Sequence, residues 1–196
     1  MIFLIPNKVN HMAVSIKKMN DILPQIHCKK CGYEDCYEYS RALLNGEKHN
    51  LCLPGGEKVM NRLSFLLKKE PLKMVEKTKR IFIQSAKIQE NLCIGCKKCL
   101  DICPVDAVCG TQKSMHTIIS SKCNGCKLCI NACPMNCIKV DKDSTRLLTR
   151  SKKKMYQKLR ENKKNRLQNE KKTLFSKIDK NLYIQKSLTK FNSKIA

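Results

Sequence analysis

CIGCKKCLDICP (Cys93–Pro104) and CNGCKLCINACP (Cys123–Pro134) start 30 residues apart and agree at 7 of 12 positions. The shared positions are four cysteines, a glycine, a lysine and the closing proline, so the chain carries an internal repeat. Each copy has the spacing C-x2-C-x2-C-x3-C-P. Three thiolates two residues apart wrap a tight loop around one face of an inorganic core. A fourth cysteine, at the start of a helix, points away from that loop toward the other site. Proline after it fits a first helical turn, where its missing N–H costs little. Gly95 and Gly125 let each loop turn tightly and bring backbone N–H groups close to sulfur.

This spacing resembles that of bacterial ferredoxins, which hold [4Fe–4S] clusters. The resemblance implies one cluster on Cys93, Cys96, Cys99 and Cys133, and another on Cys123, Cys126, Cys129 and Cys103. Other uses of cysteine fit less well. A disulfide framework suits small secreted domains, but the opening MIFLI is too short for the apolar core of a signal peptide. Zinc sites use paired C-x2-C units well separated along the chain. Inert buried cysteines would not repeat at this spacing.

The chain has 14 cysteines, of which the ladders use 8. Four more, Cys28, Cys31, Cys36 and Cys52, have the spacing C-x2-C-x4-C-x15-C. Spacing alone leaves zinc and a third cube both open, and composition favours the cube. Leu23-Pro24-Gln25, these four cysteines, Cys31-Gly32-Tyr33 and Pro54-Gly55-Gly56 precede the doubled ladder. With Pro104-Val105-Asp106-Ala107 and Met115-His116-Thr117, they resemble the iron–sulfur B subunits of the Rnf/Rsx-type ion-translocating electron transport complexes over residues 12–140.

That resemblance implies a third [4Fe–4S] cluster on Cys28, Cys31, Cys36 and Cys52. It also implies an iron–sulfur subunit relaying electrons in a membrane-bound complex at the cytoplasmic face of a bacterial inner membrane. The implied partners are the other subunits, including flavin-carrying ones, and redox donor or acceptor proteins. Two departures stand out. Family members usually begin with a transmembrane helix, which needs about 20 apolar residues; here Pro6, Asn7 and Lys8 interrupt MIFLI. Lys29, Lys30, Glu34 and Asp35 fill the first loop where relatives carry small residues, glycine or proline.

The 196 residues suffice for one or two small domains. Trp is absent and aromatics make up 5% of the chain, so bound clusters must supply much of the folding energy. The formal net charge is +24; three oxidised clusters with their thiolates would add about −6. Residues 151–196 hold 15 Lys/Arg against 3 Asp/Glu, a net of +12. Such a tail suits an anionic membrane surface, an acidic partner or nucleic acid. It equally fits a solvated charge run, since 33 Lys, 7 Arg and 15 Asn mark a general compositional bias. Met155, Leu159, Leu167, Leu174, Ile178 and Leu182 recur near helical spacing. No nucleic-acid recognition motif accompanies the charge, which ranks that partner last.

The fold expected is α+β: a small helical cluster domain, a two-cluster ferredoxin-like domain, and a basic tail, helical or disordered. Residues 1–24 form a short amphipathic segment with Met12, Ile16, Met19 and Leu23 on one face. The first cluster domain covers 25–70, with helices from Cys36 to Asn45 and along Val59, Leu63, Leu66 and Leu67. A linker, 71–85, leads to the ferredoxin domain at 86–143, and the tail is 144–196. Short strands are expected at Lys87–Gln89, His116–Ile119 and Ile138–Val140, with a helical turn after each fourth cysteine.

Cys137, aligned with Ala107, reads as a small buried side chain, and Cys109 as an exposed one. His27 and His116 read as ordinary histidines. Lys97, Lys98 and Lys127 sit between ligands, where positive charge favours a reduced cluster. Neither a dinucleotide fingerprint nor a phosphate-binding loop is present, and no acid–base or nucleophilic constellation is visible. One-electron relay through three [4Fe–4S] clusters is the function expected, with a soluble two-cluster ferredoxin-type carrier as its rival.

Overall fold

The computed structural model describes residues 15–74 and 81–192. The expectations for MIFLI and Met12, for residues 75–80 of the linker, and for the side chain of Leu182 fall outside the described parts.

The upstream module is helical. Helix α1 (Ile16–Ile22) begins at Ser15, whose hydroxyl accepts from Lys17 N–H, and ends ahead of Pro24. Helix α2 (Cys36–Leu44) is capped by Asp35, whose carboxylate accepts from Glu38 N–H, as at many helix starts. Gly46, at φ +92°, follows its end. Helix α3 (Gly56–Leu67) follows the Leu53–Gly55 turn. There a Cβ on Gly55 would meet the Val59 side chain at 2.6 Å. Met19, Leu23, Tyr39, Leu43, Val59 and Leu63 form the shared core. Its one hydroxyl, on Tyr39, donates to Lys48 C=O at 2.7 Å.

The repeat unit is built from antiparallel pairs. Strands β1 (Phe82–Ile83) and β2 (Ala86–Ile88) open it, and β3 (Val108–Cys109) and β4 (Thr117–Ile118) form its middle. Strands β5 (Ile138–Val140) and β6 (Arg146–Leu147) close it. The pairs are β2–β5, with Ala86 opposite Val140, β3–β4, with Val108 opposite Ile118, and β1–β6, with Ile83 opposite Arg146. The last pair carries the unit into both the stretch read as linker and the stretch read as tail. Two-residue strands are too short to leave a periodic signal.

The helical turns differ from expectation. Helices α4 (Lys98–Ile102) and α5 (Leu128–Ala132) precede the fourth cysteines rather than follow them. Cys103 and Cys133 are the extended residues that end them, at ψ 117° and 113°. The proline explains this: Pro104 and Pro134 disfavour helical backbone in the residue before them. Pro is read correctly here as a stop, not as a start.

The stretch read as a tail is helix α6 (Arg150–Asn192), 43 residues, or about 65 Å at 1.5 Å per residue. Its first half packs on both modules. Tyr156 is fully buried, and Met155 and Leu159 lie against the repeat unit's core. Leu167, Leu174 and Ile178, farther along the same apolar series, are exposed. The first turns of this series therefore serve internal packing.

Candidate metal centres

All 14 cysteines are free thiols, and 13 of them line three cavities, four in the first, five in the second and four in the third. Cys28, Cys31, Cys36 and Cys52 line the first, between α2 and the start of α3. Cys93, Cys96, Cys99 and Cys133 line the second, and Cys103, Cys123, Cys126 and Cys129 the third. Among the described residues, no group of three or more His, Cys, Asp or Glu is disposed to hold a single metal ion.

Backbone geometry makes the ladder loops possible. Gly95 and Gly125 have φ +68° and +70°, and a Cβ there would sit 2.6 Å from Ser114 N and 2.7 Å from Gln84 O. No other residue fits such a close approach. Lys97 and Lys127 also adopt left-handed backbone, at φ +67° and +64°, as the residues leading into α4 and α5. Their side chains and that of Lys98 are exposed.

Burial controls the thiols. It pushes Cys36 and Cys129 up to about 12 and Cys99 to about 11, and raises Cys52 and Cys126 further. A metal group entering these cavities therefore displaces protons from sulfur. Cys133 differs. Burial opposes its charge, but the Cys137 thiol at 3.3 Å and nearby backbone N–H groups outweigh that and lower its pKa. Cys137 is buried, lines the second cavity, and is pushed up to about 12 by burial and by its neighbour. In the third cavity the corresponding residue is Ala107, whose N–H donates to Cys103 Sγ at 3.3 Å. Cys109 is exposed.

Two histidines read as ordinary are placed at these sites. His116 is buried in the second cavity, its Nδ1 3.7 Å from both Cys93 Sγ and Cys99 Sγ and its Nε2 3.1 Å from Thr111 C=O. His27 lines the first cavity; burial lowers it to about 4, so its neutral Nδ1 accepts from Cys36 N–H. The signal for His116 was the length of the loop between the ladders, which folds back over Gly95 through Lys113 N–H to Gly95 C=O. The acidic and basic residues of the first loop also have structural work. Lys29 pairs with Glu34 at 2.7 Å. Asp35, almost wholly buried, receives Lys164 at 2.6 Å and Arg160 at 3.1 Å from α6. Burial opposes its charge, but these cations and Glu38 N–H prevail and hold the carboxyl at about 2.

The modules touch beside the third cavity. Asn124, next to Cys123, donates to Ile26 C=O across 98 residues, and Cys28 and Cys126 line one shared cleft. Since the ladders exchange their fourth cysteines, the third cavity adjoins both others.

Residues 86–140 match the family model described as a 4Fe-4S dicluster domain, and residues 23–54 match one described as a putative Fe-S cluster. The chain is 45% identical over 108 residues to the B subunit of the ion-translocating oxidoreductase complex of Escherichia coli O9:H4 (strain HS). That covers 54% of this chain and 56% of the relative. The protein of the same name from Serratia proteamaculans (strain 568) is 46% identical over 105 residues, 53% of this chain and 55% of its own length. The chain thus spans just over half the length of these curated relatives. Among the described residues, no helix is long and apolar enough to cross a membrane. Residues 86–140 thus match a 4Fe-4S dicluster domain, and the chain is similar over just over half its length to the B subunits of ion-translocating oxidoreductase complexes.

Proposed function

We propose that this chain is the iron–sulfur relay subunit of a membrane-bound, ion-translocating oxidoreductase complex and carries three [4Fe–4S] clusters. Cys28, Cys31, Cys36 and Cys52 hold the first, Cys93, Cys96, Cys99 and Cys133 the second, and Cys103, Cys123, Cys126 and Cys129 the third. The observation that carries this reading is that each of three cavities is lined by at least four free thiols, one of these sets among them. Bound there, a cluster takes up and releases one electron with little rearrangement, its charge being spread over iron, sulfide and thiolate.

The protein supplies the rest. Its cysteines orient each cluster, the buried cores of both modules keep water away, and hydrogen bonds to sulfur tune each potential. Hydride chemistry falls to a partner with flavin or nicotinamide. The partners are the other subunits of the complex, flavin-carrying ones among them, together with a redox donor or acceptor protein. The chain works as a peripheral subunit at the cytoplasmic face of the inner membrane. The lysines on the distal, exposed part of α6 suit attraction to anionic headgroups there.

The test is a count of iron and acid-labile sulfide in the anaerobically purified chain. About 12 of each per chain is the expected result for three cubes. About 8 would leave a two-cluster carrier of the soluble ferredoxin type, with the Cys28–Cys52 site taking zinc or nothing.

A further inference from the structure

The two halves of the repeat unit differ most in what stands behind their ligands. Lys163 of α6 is 4% exposed. Its ammonium donates to Leu100, Asp101 and Cys103 C=O at 3.2, 3.1 and 2.6 Å. These are carbonyls at the C-terminal end of α4, where the helix carries partial negative charge; Leu100 C=O also accepts from Cys103 N–H at 3.3 Å. One belongs to Cys103, a cysteine of the third cavity. On the other side of that cavity, Arg146 donates to Cys123 C=O at 2.5 Å, and Tyr156 donates to the same oxygen at 3.1 Å.

The repeat places Ile130, Asn131 and Cys133 where Leu100, Asp101 and Cys103 stand, and Cys93 where Cys123 stands. Among the described residues, no side chain donates to the carbonyls of those four. The lysines inside the ladders do not restore the balance. Lys97, Lys98 and Lys127 are exposed, where water and salt screen their charge.

We propose that Lys163, assisted by Arg146, makes the Cys103–Cys123–Cys126–Cys129 site the higher-potential member of the pair, so that it is reduced first. Lys163 is a positioning residue in this scheme: it acts through the Cys103 peptide and through its field. The proposal rests on the iron–sulfur reading above. Reduction adds one negative charge to the cluster, with no bond made or broken, and a buried cation nearby favours that state. Asp106, 3.1 Å from Lys163, opposes it. That carboxylate is more exposed than Lys163 and is shared with Arg166 at 2.7 Å, so the positive charge prevails. Because this site adjoins both others, it is where an electron crossing between the modules comes to rest.

The experiment is a dithionite titration of the anaerobically purified full chain, followed by electron paramagnetic resonance. The signal that Cys126→Ser alters or abolishes identifies the third site. Lys163→Met should lower the ratio of reduced to oxidised third site tenfold or more at fixed potential, equivalent to 59 mV for one electron, and leave the other signals in place. Asp106→Asn should move the same signal the opposite way. The fold accepts asparagine there, because Asn136 occupies the matching position of the other half with the same left-handed backbone, φ 49° against 48°. An unchanged titration overturns the proposal, as does an equal shift of both ladder signals or a shift of the same sign in the two variants. If Lys163→Met does not fold, Asp106→Asn decides alone. A wild-type chain without iron overturns the iron–sulfur reading itself, and this proposal with it.

Discussion

The two ladders agree at 7 of 12 positions, yet their surroundings have little in common. The second cavity holds His116, within reach of the Cys93 and Cys99 sulfurs, and Cys137, within reach of Cys133. The Cys123 loop faces the upstream module through Asn124 and Ile26, and α6 through Tyr156. What repeats is the holder, meaning the thiols, the left-handed lysine and the tight glycine. What differs is everything that would tell one bound group from another. Duplication thus supplies two equal sites, and the unrepeated residues make them unequal.

Removing the iron tests the shared part and carries the largest effect. Chelation should unfold both halves of the repeat unit together, seen as collapse of amide protection across residues 86–147. A half that stays protected would show that its packing stands without metal. Next is Tyr156→Ala, which empties a fully buried site and should cost about 3–5 kcal/mol. Denaturant unfolding gives the magnitude, and hydrogen exchange should show protection lost around Cys123 ahead of Cys93. Equal loss in both halves would count against the asymmetry.

Asp35→Ala strands Arg160 and Lys164 and removes the cap of α2, for an expected cost of about 3 kcal/mol. Asp35→Asn keeps a capping oxygen and should recover part of it. Limited proteolysis of α6 checks whether the helix has come loose. The smallest effect belongs to Cys137→Ala, which gives the first half the residue that the second half has at Ala107. Stability should change by less than about 1.5 kcal/mol, while the Cys93-site signal becomes harder to reduce as its sulfur loses a donor. A shift of the Cys123-site signal instead would reverse that pairing of thiol and site.

Local signals carried much of this architecture. Helices α1, α2 and α3 follow from apolar spacing and from stops at Pro24, Gly46 and Pro71, and β2, β4 and β5 lie within a residue or so of their expected positions. The three-cysteine loops are legible because their spacing is local, whereas the exchange of Cys103 and Cys133 came from the ferredoxin resemblance. Long-range pairings were not legible. Nothing in ENKKNR separates Lys163, buried on three carbonyls, from Lys164, paired with Asp35. Both look like neighbours in a solvated charge run. Tyr156 stands among lysines in the sequence yet is fully buried, and His116 needs the fold of its loop to reach two sulfurs. The turn after each fourth cysteine was misjudged because proline was weighed for the residues after it, not for the one before it.

Helix α6 follows both cysteine modules in the chain, so it leaves the ribosome after them. Until it docks, Asp35 caps α2 but lacks the Arg160 and Lys164 cations, and the carbonyls behind Cys103 lie open to water. Maturation therefore has a natural sequence: cluster delivery to open modules first, closure by the helix second. A chain halted before residue 150 would keep all its thiols and lack its latch, an early stage of assembly accessible by truncation.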